Sequence, residues 1–174
     1  ADLLNNVKII ATDINLIRLD KIKDRAKRHK VEDKINIELN YHNLNILVDR
    51  VICDVPCSGS GAWRRRPEEK ISLTNNKFKE LLKTQRDILD YGSSLTKIGG
   101  ELVYITCSIL NKENKNQINA FLQDNPNFEI VDLKHSWDSI TNSKQLFGNE
   151  KYCQLLPNIH ECDGFFIARL IKTN

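Results

Sequence analysis

Short apolar stretches alternate along the chain with longer stretches in which apolar residues recur every three or four positions. The first kind predicts buried strands, at residues 7–12, 35–39, 47–53, 101–106, 128–133 and 164–171. The second kind predicts helices over residues 16–29, 76–95 and 112–122, and residues 1–6 are interpreted as the last turn of another helix. Gly99-Gly100 is interpreted as the end of a helical region, and residues 142–160 as irregular. This alternation indicates the α/β class with a mostly parallel sheet.

The segment 51–67, VICDVPCSGSGAWRRRP, combines several kinds of chemistry in a short space. Its apolar start predicts a strand that delivers Asp54 to the carboxyl edge of the sheet, where such folds bind ligands. Pro56 restricts the backbone after this strand, whereas Gly59 and Gly61 allow conformations and close approaches that a Cβ would forbid. Together with Cys57 and three arginines, the segment provides an acid, a thiol, an adaptable loop and positive charge.

A second predicted strand, residues 101–106, also leads into a cysteine, Cys107. Because loops at the carboxyl ends of parallel strands face one crevice, Cys57 and Cys107 could share a site although fifty residues separate them. The structural alternative is that each is a small buried apolar residue. Zinc is disfavoured because the sequence lacks both a Cys-x-x-Cys pair and paired histidines, and a cysteine protease because no histidine base is suitably placed.

Composition narrows the class of protein. The 174 residues, 40% hydrophobic and 28% charged, suit a single soluble domain. No run approaches the roughly 18 apolar residues of a membrane span, and no secretory signal is visible, so no membrane partner is expected. Five cysteines without a regular framework favour free thiols and a cytoplasmic location. Because the chain begins at Ala1 and contains no methionine, we expect the C-terminal portion of a longer protein.

The net charge of +3 is mild, so local clusters of charge matter more. Six basic residues between positions 21 and 30 are interpreted as a solvated helix face. Arg64, Arg65 and Arg66 are candidates for binding RNA or a substrate phosphate, and ion pairs at a helix end are the alternative. Trp63 next to them is either a buried anchor or a stacking surface for RNA.

Asp13 follows the first predicted strand. An acid at this position binds ribose hydroxyls in dinucleotide and nucleoside folds, whereas the structural alternative is a helix N-cap. Asn15 could provide the cap instead, which would leave Asp13 available for a ligand.

Two motifs carry a resemblance to a known family. DVPCSGSGAWRRRPE followed by LVYITCSILNKENKNQI resembles the motif pair of the NOL1/NOP2/Sun family of RNA cytosine-5 methyltransferases, and DGFFIARL resembles that family's closing strand. The resemblance covers nearly the whole chain and is greatest to the bacterial 16S rRNA enzymes of the Sun (Fmu) type. It implies a Rossmann-like fold, S-adenosylmethionine as the cofactor, and RNA, with small-subunit rRNA foremost, as the substrate.

The resemblance also implies a covalent mechanism, since C5 of cytosine is a poor nucleophile until a thiolate adds to C6. Cys107 corresponds to this nucleophile, Cys57 to a second thiol that assists release of the product RNA, and Asp54 to the acid beside the base. Asp13 corresponds to the ribose-binding acid. A free thiol has a pKa of about 8.5 and is mostly protonated at neutral pH, so a neighbouring group must favour its ionisation. An arginine or the helix starting near Lys112 could do this. The target base must also be unstacked.

The sequence departs from the family pattern in two places. The family's first glycine-rich motif and the first strand of its sheet should precede Ala1, and their absence predicts exposed strand edges on both sides of a gap. The family usually has an acid near the adenine of the cofactor, but residues 40–43 stand at that position here, and Asn43 is the candidate to replace the acid as a hydrogen-bond partner. Asp54 and Pro56 complete the predicted cofactor-binding residues. The alternative function is therefore a non-catalytic RNA-binding fragment. No metal is expected, and the oligomeric state is not indicated.

Overall fold

The fold is described by a computed structural model over residues 7–39, 44–134 and 151–174. The chain divides into two compact units, Ala1–Asn45 and Ile46–Asn174. The interpretations of residues 1–6 and 142–150, and of Asn43, lie outside the described residues.

The first unit is built on a two-stranded parallel sheet. In chain order it contains β1 (Ile9–Ala11), α1 (Leu16–Arg28), a 3-10 turn (Glu32–Lys34) and β2 (Ile35–Ile37). Parallel neighbours need a crossover connection, which α1 supplies. Leu19 and Ala26 are the buried residues of α1, and its basic residues are exposed, as the interpretation of a solvated face predicted.

The second unit contains a five-stranded sheet and four helices among its described residues. They are β3 (Val48–Asp54), α2 (Pro67–Ile71), α3 (Asn75–Leu95), β4 (Thr96–Thr106), α4 (Lys115–Asp124), β5 (Phe128–Val131), β6 (Cys153–Leu155), α5 (Pro157–His160) and β7 (Phe165–Lys172). The strand order is β3-β4-β7-β5, and β6 also pairs with β7. Within the described residues, β3 is an edge strand and β1 pairs only with β2, so both predicted edges are present.

The α/β class is confirmed, but the prediction of a mostly parallel sheet is wrong for the second unit. Its sheet is mixed: β3 and β4 are parallel, whereas β7 is antiparallel to β4, β5 and β6. α3 provides the crossover that parallel strands require, while only a short connection with the single-turn α5 separates β6 from β7. The residues interpreted as irregular therefore include β6 and α5.

The interpretation of Gly99-Gly100 as a helix end is also wrong. α3 ends at Leu95 and β4 begins directly at Thr96, so both glycines lie inside the strand. Gly99 has φ +75°, a left-handed conformation that glycine adopts without a steric penalty. The pairing of β3 with β4 shifts register here, and the glycines form an irregularity in the ladder.

The core of the second unit lies between the sheet and its helices. Its fully buried large side chains come from β4, α3, α4 and β7 and include Leu89, Leu102, Tyr104, Phe121, Phe166 and Leu170. Along β4, every second residue from Gly100 to Thr106 is buried. The same alternation places the next residue, Cys107, in an exposed position.

None of the helices in the described ranges combines the length and the apolar character that a membrane crossing would require.

Candidate active site

The two cysteine-bearing loops meet at one edge of the five-stranded sheet. We call residues 55–63, after β3, the first thiol loop and residues 107–114, after β4, the second thiol loop. Asp54 pairs with Ile105 in parallel register, so β3 and β4 end side by side. The Sγ atoms of Cys57 and Cys107 are 3.2 Å apart, which is within hydrogen-bonding distance for sulfur. The prediction that the two thiols lie together is therefore confirmed.

Two glycines allow the first thiol loop to fold closely onto its neighbours. Gly59 has φ +66°, in the left-handed region. The N–H of Gly61 donates to the carbonyl of Cys107 (3.0 Å), and the carbonyl of Gly61 accepts from the N–H of Gly164 (2.9 Å). A Cβ on Gly61 would lie 2.2 Å from the carbonyl oxygen of Gly164, so a side chain has no room there. Gly61 thus joins the first thiol loop to the second and to the start of β7.

The thiol pair is electrostatically asymmetric. The hydrogen bond with Cys107, followed by burial, raises the pKa of Cys57. The same hydrogen bond lowers the pKa of Cys107 from 9.0 to about 7, against opposing effects of partial burial and of the nearby Asp54 and Glu69 charges. Both directions follow if the Cys57 S–H donates to a Cys107 thiolate. The thiolate is the nucleophilic form of cysteine, so the lowered pKa suits Cys107 to the nucleophilic role predicted for it.

The group that stabilises the Cys107 thiolate differs from the groups that were predicted. The prediction named a neighbouring arginine or a helix beginning near Lys112, but α4 begins three residues later, at Lys115. The main stabilising effect on the Cys107 thiolate is the hydrogen bond from Cys57.

A buried carboxyl group connects the two thiol loops. Glu113 is fully buried, and its Oε1 accepts from the backbone N–H of Ser58 (2.7 Å) and from Gln85 Nε2 (3.0 Å). Its Oε2 accepts from the hydroxyls of Ser58 and Ser108, both at 2.5 Å. Ser58 directly follows Cys57, and Ser108 directly follows Cys107, so Glu113 fixes the residue next to each thiol.

Further buried polar groups extend this arrangement. Asn114 Oδ1 accepts from the hydroxyl of Thr106 (2.7 Å), and its Nδ2 donates to the carbonyl of Ser108 (2.9 Å). The Tyr104 hydroxyl donates to the backbone carbonyl of Glu113 (2.7 Å). The hydroxyls of Ser60 and Ser108 are 2.8 Å apart. These bonds give the second thiol loop a fixed path between β4 and α4.

Glu113, Asn114 and Gln85 were not predicted from the sequence to belong to the site. In the sequence they belong to polar or helical stretches that read as solvated surface. One available signal was the serine that directly follows each of the two cysteines, because each hydroxyl, if buried, needs a hydrogen-bond partner nearby.

The three arginines of the predicted RNA-binding cluster are all exposed. Arg65 forms an ion pair with Asp163, and Arg66 pairs with Glu69 at 3.1 Å. The predicted alternative, an ion pair at a helix end, therefore holds for Arg66, the N-cap of α2, whereas the partner of Arg65 lies nearly a hundred positions later in the sequence. Trp63 is partly buried and donates its indole N–H to the carbonyl of Ser58 (3.0 Å), which favours its role as an anchor.

The predicted cofactor-binding residues are placed as follows. In the first unit, Asn15 caps α1 as predicted, accepting from the N–H groups of Ile17 and Arg18. Asp13 accepts from the Asn15 N–H (2.8 Å) and lies 3.6 Å from Arg18.

In the second unit, Asp54 is exposed at the end of β3, and the carbonyl of Pro56 accepts from Gln85 Nε2 (3.0 Å). The ligand-binding roles of these residues stay predictions. Within the described ranges, no cluster of three or more His, Cys, Asp or Glu side chains could hold a metal ion.

Comparison with known sequences identifies relatives over nearly the whole chain. A family model described as 16S rRNA methyltransferase RsmB/F matches residues 1–171. Ribosomal RNA small subunit methyltransferase B of Shewanella oneidensis is 34% identical over 173 residues, which cover 96% of this chain and 38% of the relative. The protein of the same name from Salmonella arizonae is 36% identical over 168 residues, covering 94% and 36%. The chain thus spans well under half the length of these relatives.

Solved structures show the same fold. The crystal structure of PH0851 superposes with a TM-score of 0.81 at 32% identity, covering 95% of this chain and 37% of that one. NSun6 from Pyrococcus horikoshii with SFG gives a TM-score of 0.76 at 24% identity, covering 96% and 42%. The latter likeness concerns the fold alone. Together with the α/β architecture, these neighbours confirm the predicted Rossmann-like methyltransferase fold.

Proposed function

Because the chain belongs to the 16S rRNA methyltransferase RsmB/F family, as its two cysteine motifs predicted, we propose that it methylates C5 of cytosine in small-subunit rRNA. The observation that carries this proposal is the contact of 3.2 Å between Cys57 and Cys107, beside Asp54, at the carboxyl edge of the sheet. The activity would place the protein with bacterial rRNA in the cytoplasm. S-adenosylmethionine would supply the methyl group as an electrophile.

Cys107 is proposed to be the nucleophile. Its thiolate, stabilised by the Cys57 S–H, adds to C6 of an unstacked cytosine, and the π electrons that this displaces make C5 nucleophilic. Asp54 would hold the N3/N4 edge of the base and provide a proton as the negative charge develops. After C5 has taken the methyl group, loss of the C5 proton restores the double bond and expels the Cys107 thiolate.

The thiol pair suggests how Cys57 changes role during this cycle. While Cys107 is a thiolate, its hydrogen bond keeps Cys57 protonated. Once Cys107 is bonded to carbon, its sulfur is a weak acceptor, and this cause of the raised pKa of Cys57 disappears. The pKa of Cys57 would then fall, so that Cys57 could lose its proton to solvent and be present as a thiolate base only in the covalent intermediate, in keeping with its proposed part in product release.

Asp13 is proposed to bind the ribose of the cofactor. Its Oδ1 accepts one backbone hydrogen bond, and its contact with Arg18 at the surface is long, at 3.6 Å. A carboxylate has about four acceptor positions, so this side chain retains capacity for ribose hydroxyls. The donor and acceptor chemistry therefore fits the cofactor.

The exposed arginines are proposed to contact RNA phosphates. The pairs formed by Arg65 and Arg66 are at the surface, where ion pairs contribute little and exchange readily. A phosphate can replace the carboxylate partner at small cost, and each neutralised phosphate adds to the salt dependence of binding.

Trapping on RNA that contains 5-fluorocytosine tests the function. The fluorine at C5 cannot leave as a proton would, so the Cys107 adduct should accumulate in the presence of S-adenosylmethionine. Cys107→Ala should abolish both the adduct and methyl transfer, whereas Cys162→Ala, at a half-buried cysteine elsewhere, should leave both unchanged.

An adduct that survives Cys107→Ala but is lost in Cys57→Ala would overturn the assignment of the two thiols. Salt-dependent RNA binding without any methyl transfer would favour the non-catalytic alternative.

A further inference from the structure

We propose that Glu113 is a positioning residue that holds the two thiol loops together, so that Cys57 and Cys107 remain in hydrogen-bonding contact. The placement of Glu113 follows from the structure of this chain alone. Its importance for methyl transfer rests on the proposed function.

The hydrogen-bond partners of Glu113 lie on both thiol loops. One carboxyl oxygen accepts from both serine hydroxyls, Ser58 and Ser108, at 2.5 Å each, so a single atom spans both loops. The other oxygen accepts from the Ser58 N–H and from Gln85 Nε2, which also donates to the carbonyl of Pro56. The residues on both sides of Cys57, and the one after Cys107, are thereby fixed. A shift of either loop would break at least one of these bonds.

The hydrogen-bond donors around Glu113 are unusual for a buried carboxyl group. Glu113 is fully buried, yet its four donors are all neutral: two hydroxyls, a backbone amide and a side-chain amide. Four donors match the acceptor capacity of a carboxylate. Burying a carboxyl group without a positively charged hydrogen-bond partner is costly, and an apolar residue usually packs at lower cost. The buried position of Glu113 is therefore better explained by the geometry that it imposes on the two thiol loops than by a contribution to stability.

Two variants with a common control test the proposal. Glu113→Gln keeps the shape of the side chain but replaces the oxygen that accepts from both hydroxyls by an amide donor. Ser108→Ala leaves Glu113 unchanged but removes its bond to the Ser108 hydroxyl, together with the contacts of that hydroxyl with Ser60 and with the Leu110 N–H. Glu129→Gln makes the same chemical change at an exposed position on β5 and serves as the matched control. Circular dichroism would verify that each variant is folded.

Two readouts report on the thiol pair without RNA or cofactor. The first is the pH midpoint of Cys107 alkylation, followed on its own peptide by mass spectrometry. The second is the equilibrium between the Cys57–Cys107 dithiol and its disulfide in a glutathione buffer, in which oxidised glutathione takes up two electrons and two protons to become two reduced molecules. This equilibrium measures the effective concentration of one thiol at the other.

The expected result is a higher alkylation midpoint and an at least tenfold lower effective concentration in Glu113→Gln and Ser108→Ala, with neither change in Glu129→Gln. Folded Glu113→Gln with both readouts unchanged would overturn the proposal. If Glu113→Gln does not fold, the same two readouts on Ser108→Ala decide in the same way. Loss of methyl transfer with normal thiol readouts would contradict this inference alone, whereas an adduct on another residue would contradict the proposed function.

Discussion

Replacing Cys57 by alanine should change the chemistry of Cys107 in a way that the structure allows to be calculated. The variant removes the S–H donor 3.2 Å from the Cys107 sulfur, which is the leading cause of the lowered pKa. Burial and the charges of Asp54 and Glu69 remain and oppose ionisation, whereas a backbone hydrogen bond at Cys107 favours it but is a smaller effect than burial. The pKa of Cys107 should therefore rise from about 7 to at least its ordinary value of 9.0.

This shift has opposite consequences at the two ends of the pH range. At pH 7 the thiolate fraction falls about 50-fold, but a more basic thiolate is intrinsically about 8-fold more reactive for a Brønsted coefficient near 0.45. Alkylation of Cys107 at pH 7 should thus be about 6-fold slower than in the unmodified chain. Near pH 10, where both proteins are mostly ionised, the variant should react faster, so the two pH–rate profiles cross.

Iodoacetamide labelling between pH 5 and pH 10, quantified on the Cys107 peptide, measures both profiles. Cys57→Ser is the matched control because its hydroxyl can still donate a hydrogen bond, and its midpoint should lie between the other two. A midpoint for Cys57→Ala that stays near 7 would refute the reasoning. Some group other than Cys57 would then stabilise the thiolate.

Two further predictions concern the same edge of the sheet. Gly61→Ala should lower the stability of the protein and raise the alkylation midpoint of Cys107, because its Cβ would lie 2.2 Å from a backbone oxygen. Gly99→Ala is the comparison, since Gly99 has open space around it but φ +75°. This variant should lower the free energy of unfolding, measured by heat or urea, by only about 1–2 kcal/mol and leave the reactivity of Cys107 unchanged. Hydrogen peroxide should oxidise the Cys107 thiolate to a sulfenic acid, which condenses with the Cys57 thiol to form a disulfide and water, so that two molecules of water arise from each peroxide. Counting free thiols in denaturant should then give three instead of five. In the control variant Cys107→Ala, the count should stay at four after treatment with peroxide. A lower count in that variant would mean that another pair of cysteines forms the disulfide.

The sequence predicted those features that local pattern determines. Short apolar stretches located six of the seven described strands, all except β6, and a cysteine one or three residues beyond two strand ends placed both thiols at one edge. Asn15 was recognisable as the cap of α1 because side chains with a carboxamide or hydroxyl bond the first N–H groups of a helix.

Features that depend on distant parts of the chain were not predictable in this way. Glu113 resembles any surface glutamate until Ser58, more than fifty positions earlier, is brought to it. The direction of β7 depends on where β6 ends, not on the apolar residues of β7 itself. Gly99 and Gly100 carry the composition of a helix end, but the pairing of β4 with β3 decides that they belong to a strand.

The contact of Gly61 with Gly164 has a consequence for the order of assembly. Gly164 lies near the end of the sequence, more than a hundred positions after Gly61, and closing so long a loop is a late and entropically costly event. During synthesis, both cysteines leave the ribosome well before the segment against which the first thiol loop is packed. The nascent chain therefore passes through a period in which Cys57 and Cys107 are both present before the backbone contact between Gly61 and Gly164 can form.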